Sequence, residues 1–137
     1  MSYAKPLPVP DADSRPFWEG CHQHKLLIMR CKRCGQVRFP PTTYCSRCQA
    51  HEHLWIESTG RGRVFSWIVV RHPVPQEVYA EDVPYIVAVV ELDEGVRIPS
   101  NIIDCTPELV RAGLPVHVVF RDVNDQISLP VFRPDPR

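Results

Sequence analysis

Cys31-Lys-Arg-Cys34 and Cys45-Ser-Arg-Cys48 are the two segments that decide the fold of this chain. Ten residues, 35–44, separate them, which is enough for a strand, a turn and a return. Each Cys-x-x-Cys pair directs two thiolates to one point, and two facing pairs form the tetrahedral four-sulfur shell that zinc favours. The spacing therefore predicts a zinc ribbon in which Cys31, Cys34, Cys45 and Cys48 hold the metal. Four thiolates leave no position for water, so the predicted zinc is structural.

The same four cysteines admit two other interpretations. Iron in a rubredoxin-like site also binds four thiolates and would make the protein an electron carrier. Alternatively, the cysteines are buried or disulfide-linked, which a reducing compartment disfavours. Residues 1–10 contain no apolar run of signal-peptide length, so we expect a cytoplasmic protein. The apolar stretch 85–90 is far shorter than the ~20 residues of a membrane-spanning helix, so no membrane association is expected.

Composition and charge narrow the choice of fold and partner. The chain has 137 residues, and its 15 prolines favour short strands and extended arms over a helical bundle. Its net charge is zero, which argues against a surface built throughout to attract polyphosphate. The charge is uneven, because residues 1–62 carry nine basic and five acidic groups, whereas 63–137 carry seven basic and eleven acidic groups. The basic groups around the cysteines partly neutralise a tetrathiolate zinc. The positive charge that remains either binds a phosphate-bearing ligand or belongs to solvated side chains with no dedicated ligand.

Hydrophobic runs and turn residues outline the remaining elements. Residues 1–12 indicate a proline-rich extended arm, and Ser14 is placed to cap a helix at 15–23. Five strands with one helix between the third and the fourth follow the cysteines, which is the element order of an OB-fold barrel. The predicted elements after the first helix are strands 26–30 and 53–57, strands 64–70, 85–92 and 97–103, a helix of two turns at 106–112, and strands 116–123 and 127–132.

The predicted fold class is mainly β, with an N-terminal helix and a zinc ribbon followed by a five-stranded OB-fold barrel that contains one short helix. We expect three segments along the chain. These are the arm and helix at 1–24, the zinc ribbon at 25–60 and the barrel at 61–137.

No set of residues with the spacing of a catalytic centre stands out. Neither pair of histidines has the i, i+4 spacing that places two imidazoles on one helix face, and we expect them to be exposed. The two cysteines outside the metal motif are isolated, which is typical of small buried side chains rather than nucleophiles. We therefore expect a protein that is not an enzyme by itself. The residues considered are His22, His24, His51, His53, Cys21 and Cys105.

Several motifs in fixed order resemble one family, the zinc-ribbon plus OB-fold family of acyl-CoA-associated proteins long described as a domain of unknown function. The likeness covers nearly the whole chain. The motifs are Arg15-Pro-Phe-Trp-Glu-Gly20, the two cysteine pairs with Val37-Arg-Phe-Pro-Pro41 between them, Ser58-Thr-Gly-Arg-Gly-Arg-Val-Phe-Ser66, Pro84-Tyr-Ile-Val-Ala-Val-Val-Glu-Leu-Asp-Glu-Gly95, Val119-Phe-Arg-Asp122 and Leu129-Pro-Val-Phe-Arg-Pro134.

The resemblance implies a rubredoxin-like zinc ribbon and an OB barrel in a small non-catalytic subunit of an acyl-CoA-processing complex. Members of the family pair with thiolase-like enzymes, hydroxymethylglutaryl-CoA synthases or enoyl-CoA hydratases. We therefore expect a hetero-oligomer with a thiolase-like catalytic subunit, or alternatively an enoyl-CoA hydratase, acting on an acyl-CoA. The family's four metal ligands correspond to the four cysteines above. Arg38, Arg61 and Arg63 are our candidates for contacts with the CoA phosphates.

The competing hypothesis is a single-stranded nucleic-acid-binding protein, since OB barrels and zinc ribbons both occur in that role. Such a barrel should present stacking aromatic rings beside a positive groove. Residues 63–137 are net acidic, and we expect Phe65, Trp67, Tyr85 and Phe120 to belong to the core. The sequence therefore argues against nucleic acid as a partner.

Overall fold

The computed structural model describes residues 5–136, so the predicted arm at 1–12 lies partly outside the described residues. It shows two helices, eight strands and one 3₁₀ turn in this part of the chain. The elements are α1 Arg15–His22, β1 Leu27–Cys31, β2 Val37–Arg38, β3 His53–Glu57, β4 Arg61–Val70, α2 Gln76–Tyr79, β5 Tyr85–Leu92, β6 Arg97–Ile102, the 3₁₀ turn Pro107–Leu109, β7 Pro115–Asp122 and β8 Ser128–Pro134.

The ribbon is a three-stranded antiparallel sheet with the order β2-β1-β3. The central strand β1 pairs with β3 over its whole length, from Leu27 opposite Glu57 to Cys31 opposite His53. The short strand β2 lies in the span between the cysteine pairs, which is long enough for a strand, and it places Arg38 opposite Met29. This sheet carries the first cysteine pair at the end of β1.

The second part is a closed barrel with the strand order β4-β5-β6-β8-β7, and this confirms the predicted OB fold. The pairs β4–β5, β5–β6 and β7–β8 are antiparallel, whereas β6 and β8 close the barrel in parallel through Ile102 and Phe132. Strand β4 pairs with β7 only over Arg61–Arg63, opposite 115–117. Among the strands of residues 5–136, the rest of β4 therefore has a neighbour on one side only.

The helix, the ribbon sheet and the barrel share one hydrophobic core. Phe17 and Cys21 of α1 and Leu26 and Ile28 around β1 belong to the same buried cluster as the barrel side chains. At about 25 cal/mol per Å² of apolar surface, such burial contributes to holding the ribbon against the barrel. The barrel members of this cluster are Val64, Ile86, Ala88, Val90, Leu92, Val96, Ile98, Ile102, Val110, Val116 and Phe132.

A carboxylate and two glycines fix the passage from the ribbon to the barrel. Glu94, in the β5–β6 turn, accepts hydrogen bonds from Ser58 Oγ at 2.7 Å and from the Thr59 N–H at 3.0 Å. Gly60 has a φ of 79°, and a Cβ there would lie 2.5 Å from Val118 Cγ1. A Cβ on Gly62 would overlap the backbone carbonyl oxygen of its cross-strand neighbour Glu91. At both positions the backbone lies so close to its neighbours that any residue with a Cβ would clash with them.

Two local predictions were wrong. Ser14 precedes α1 but makes no side-chain cap; instead its hydroxyl accepts from the Asp11 N–H at 3.1 Å, outside the helix. The helix predicted at 106–112 is only the 3₁₀ turn. It stops because Val110 turns into the core with extended backbone and because the Gly113 N–H donates to the Val64 carbonyl at 2.8 Å.

The prediction for the barrel aromatic residues was wrong for Phe65 and Trp67, which are 49% and 37% exposed. The pairing of β4 with β5 shifts register between Val64 and Ser66, so this strand bulges where the alternation of buried and exposed residues breaks down. Phe120 packs partly buried against the core, as expected. No helix within 5–136 is long and apolar enough to cross a membrane.

Candidate metal centre

The four predicted cysteines come together at one point of the ribbon. Cys31 ends β1, Cys34 follows in the next turn, and Cys45 and Cys48 lie in the loop between β2 and β3. Their four Sγ atoms all lie within 4.8 Å of one another. The sulfurs of Cys31 and Cys48 are 3.6 Å apart, and so are those of Cys34 and Cys45. Cys31, Cys45 and Ala50 form a small buried cluster of their own, separate from the main core.

Two short turns, the knuckles at residues 31–35 and 45–49, each carry one cysteine pair, and their backbone groups shape this sulfur cluster. The N–H groups of Arg33 and Cys34 donate to Cys31 Sγ at 3.3 and 3.4 Å, which stabilises the thiolate. Gly35 closes the first knuckle with a φ of 79° and donates to the Cys31 carbonyl at 3.0 Å. Gln49 closes the second knuckle in the same way, with a φ of 66° and a 2.8 Å bond to the Cys45 carbonyl. Glycine adopts this left-handed backbone at position 35 without strain.

The pKa values of the free thiols differ within the cluster. The backbone N–H of Cys34 is the main cause that lowers the pKa of Cys31 to about 6. The N–H of Cys48 lowers the pKa of Cys45 in the same manner. The N–H of Ala50 likewise lowers the pKa of Cys48. Burial and the three neighbouring sulfurs outweigh this effect, so the pKa of Cys48 is raised to about 11. Four thiols so close together cannot all ionise without a cation among them.

The residues fit zinc. Zinc–sulfur bonds of about 2.3 Å in a tetrahedron place the sulfurs about 3.8 Å apart, close to the 3.6 Å separations observed here. Four cysteines complete the coordination shell, so a zinc ion held here is structural. The ion would cross-link the two knuckles and stabilise the ribbon, which is too small to bury much apolar surface itself. Neither His51 nor His53 belongs to the metal cluster, and His53 Nδ1 instead lies 2.9 Å from the His51 carbonyl oxygen.

The three candidate arginines are not brought together. Arg38 is buried in the ribbon, 7% exposed, where Nη2 donates to the Thr42 carbonyl at 2.9 Å. Arg61 and Arg63 are exposed on the same side of β4. Arg61 Nε lies 3.8 Å from Asp135 Oδ2. Arg63 Nη1 donates to the Gly113 carbonyl at 3.1 Å.

The structure adds an arginine that the sequence analysis did not single out. Arg97 on β6 lies with Cζ 3.7 Å from the centre of the Phe65 ring, and its Nε donates to Glu91 at 3.0 Å. The stack depends on the bulge in β4, which no local sequence signal marked. Exposed aromatic and cationic side chains thus share the outer face of the β4–β5–β6 sheet.

The remaining candidate residues have structural positions. Cys21 is fully buried, and burial raises its pKa to about 12, as expected for an unreactive core thiol. Burial also raises the pKa of Cys105. His24 is exposed but not isolated: its Nε2 lies 2.9 Å from Asp122 Oδ1, which also accepts from Ser128 Oγ at 2.5 Å. This chain of contacts ties the end of α1 to β7 and β8.

A four-cysteine zinc ribbon joined to a five-stranded OB barrel defines the class of protein. A family model for the rubredoxin-like zinc ribbon domain of ChsH2 matches residues 18–53, and a model for the C-terminal OB-fold domain of ChsH2 matches 55–121. A DUF35 domain-containing scaffold protein of Methanocaldococcus jannaschii is 38% identical over 110 residues, which are 79% of this chain and 77% of that protein. The chain belongs to this ChsH2/DUF35 family of scaffold proteins, which confirms the resemblance found in the sequence.

Other relatives carry enzyme names. A "Probable enoyl-CoA hydratase alpha subunit" of Thermomonospora curvata is 35% identical over 95% of this chain, but the chain spans only 40% of that protein. The benzoylsuccinyl-CoA thiolase subunit BbsA of Geobacter metallireducens is 33% identical over 92 residues, 67% of this chain and 54% of that protein. A solved structure titled "Ltp2-ChsH2(DUF35) aldolase" matches with a TM-score of 0.85 and 35% identity, covering 93% of this chain and 98% of that chain.

Proposed function

We propose that this protein is a non-catalytic scaffold subunit of an acyl-CoA-processing enzyme complex. One observation carries the proposal: the chain superimposes over nearly its full length on a chain from an aldolase complex, with a TM-score of 0.85 and 35% identity. The match includes 93% of this chain, so the ribbon and the barrel are both shared with that chain. In this proposal the catalytic partner supplies the reacting groups, and this subunit orders the partner's loops and excludes water from its channel.

We propose a thiolase-type partner that forms or cleaves a carbon–carbon bond. The relatives named as a thiolase subunit and as part of an aldolase support this class of reaction. An enoyl-CoA hydratase is the alternative partner, supported by the relative from Thermomonospora. The three-segment division at 1–24, 25–60 and 61–137 and the cytoplasmic location belong to the same proposal.

Direct contact with CoA phosphates stays a proposal for Arg38, Arg61 and Arg63. Contacts from Arg61 and Arg63 are supported by their exposure on the same side of β4, two residues apart. Two neighbouring guanidinium groups can each bind one phosphate of a pyrophosphate. Arg38 is buried and would have to leave its present position to reach a ligand. Substituting Arg61 and Arg63 together by glutamine should raise the KM of the complex for acyl-CoA more than the Arg38→Gln change. An unchanged KM would contradict contacts from Arg61 and Arg63.

Reconstitution of the complex tests the proposed function. A tagged form of this chain is isolated from its native host, co-purifying proteins are identified, and thiolysis is measured for each subunit alone and for the mixture. We expect no turnover by this chain alone, weak or unstable turnover by the partner, and recovery on mixing. Cys34→Ser should abolish recovery, whereas Cys105→Ser, a cysteine outside the metal cluster, should not. Full and stable activity of the partner without this chain would contradict the proposal.

A second candidate function is binding of single-stranded nucleic acid, favoured by one observation. Phe65 and Trp67 are exposed on the barrel rather than buried, and Arg97 lies over Phe65. Exposed rings beside a cation are what stacked bases contact in OB folds. Fluorescence anisotropy with a labelled 12-nucleotide DNA tests this candidate. Binding that weakens with rising salt and disappears in Trp67→Ala would support it, and absence of binding at low salt would eliminate it.

A further inference from the structure

A cleft of about 240 Å³ opens at one end of the barrel, and none of the four metal-centre cysteines lines it. Its floor consists of apolar side chains from β5, β6 and β8, including Ile86, Ile102 and Val131. One wall is a pair of aromatic rings, Tyr79 of α2 and Tyr85 of β5, whose centres are 5.9 Å apart. An apolar floor with an aromatic wall is the usual lining of a small-molecule site.

The rim of the cleft carries a net positive charge. Lys5 and Asp82 form an ion pair at 2.9 Å, which joins the N-terminal segment to the loop after α2 and largely balances their charges. Arg121 of β7 also lines the cleft, and its side chain has no ion pair or hydrogen bond within the part of the chain that the structure describes. With two cations and one anion, the lining is +1 overall, so a bound group with a negative charge is favoured over a neutral one.

The volume limits the size of the ligand. At about 30 Å³ for each water molecule, 240 Å³ corresponds to about eight water molecules. That is the size of a short carboxylic acid with six to eight carbon atoms. We propose that this cleft binds a small amphipathic carboxylate, with its apolar body on the barrel floor beside Tyr79 and Tyr85 and its carboxylate at Arg121. The site is separate from the metal centre and does not depend on the scaffold function.

Nuclear magnetic resonance of the zinc-loaded, ¹⁵N-labelled full chain tests the site with two matched probes, hexanoate and hexan-1-ol. Hexanoate should shift the amide signals of Tyr85, Ile86, Asn101 and Ile102, and it should bind about tenfold more tightly than hexanol, the effect of one charge-assisted hydrogen bond. Arg121→Gln should remove this preference. Arg111→Gln, at an exposed arginine outside the cleft, should retain it.

A second variant keeps the test decisive if Arg121→Gln affects folding. Tyr79 lies on the four-residue helix α2, outside the barrel strands, so Tyr79→Ala should leave the barrel folded and weaken both probes several-fold. Equal binding of hexanoate and hexanol, signal shifts that map to other surfaces, or an unchanged preference in a folded Arg121→Gln variant would overturn the proposal. Failure of these tests would leave the scaffold function untouched, because that function rests on different residues.

Discussion

The carboxylate of Glu94 offers a specific test of how the ribbon is joined to the barrel. It accepts the Ser58 hydroxyl at 2.7 Å and the Thr59 N–H at 3.0 Å, across 36 and 35 positions of the chain. Ser58 is 7% exposed, so its hydroxyl cannot easily exchange this partner for water. Hydrogen bonds to charged groups contribute about 1.5–3 kcal/mol, and partial exposure places these two at the low end.

Replacing Glu94 should therefore lower the free energy of unfolding by a predictable amount. We expect a loss of about 2–3 kcal/mol for Glu94→Ala, in which both hydrogen bonds disappear, and about half of that for Glu94→Gln, whose amide can keep one acceptor. For a chain of this length, 2–3 kcal/mol corresponds to a fall in Tm of roughly 6–12 °C. Glu108→Gln, at an exposed position in the 3₁₀ turn, is the matched control and should change little.

Urea titration of the zinc-loaded protein, followed by circular dichroism, measures these differences. A double-mutant cycle of Glu94→Ala with Ser58→Ala isolates the contact, and we expect a coupling energy of about 1–2 kcal/mol. A free energy of unfolding for Glu94→Ala within about 0.5 kcal/mol of the original protein would show that the junction of ribbon and barrel does not depend on this carboxylate.

Three further predictions concern other parts of the molecule. Gly62→Ala should destabilise the protein by about 2 kcal/mol or more in the same urea assay, because its Cβ would overlap the Glu91 carbonyl oxygen; an unchanged midpoint would contradict this. Hydrogen bonds from Ser128 and then His24 lower the pKa of Asp122 below 3.8, so the stability it contributes is present above that pH and is lost as pH falls further. Asp122→Asn should accordingly reduce the acid-induced loss of stability, and an identical pH profile would argue against the contact. Cys21, buried and with a pKa of about 12, should not react with a thiol reagent in the folded protein, and rapid labelling would contradict its placement.

The metal centre could be predicted from the sequence because its four ligands lie in two short sequence motifs. Two Cys-x-x-Cys pairs specify two knuckles, and the ligand set follows from the spacing alone. The barrel was also predictable, because turns such as Asp93-Glu94-Gly95 separate its strands clearly; Gly95 has a φ of 96° there. The order of five strands with one helix between the third and the fourth then indicated an OB fold, and the closed barrel confirms it.

The rest depends on contacts between distant parts of the chain. Phe65 follows the pattern of a core residue, but a register shift between Val64 and Ser66 places it outside, and no turn residue or charge marks that shift. Val110 ends a helix that Pro107 and Glu108 begin, because burial in the barrel outweighs helix propensity over so few residues. The hydrogen bonds of Glu94 to the ribbon likewise form only after the barrel has brought its β5–β6 turn beside the ribbon.

In the proposed function, a zinc-linked ribbon and an OB barrel together serve as the scaffold of an acyl-CoA enzyme. Native mass spectrometry of the assembly isolated through this chain tests both halves in one spectrum. We predict a hetero-oligomer in which each 15.7 kDa copy of this chain carries one zinc ion. A folded, metal-free copy of this chain with no second protein attached would contradict the account.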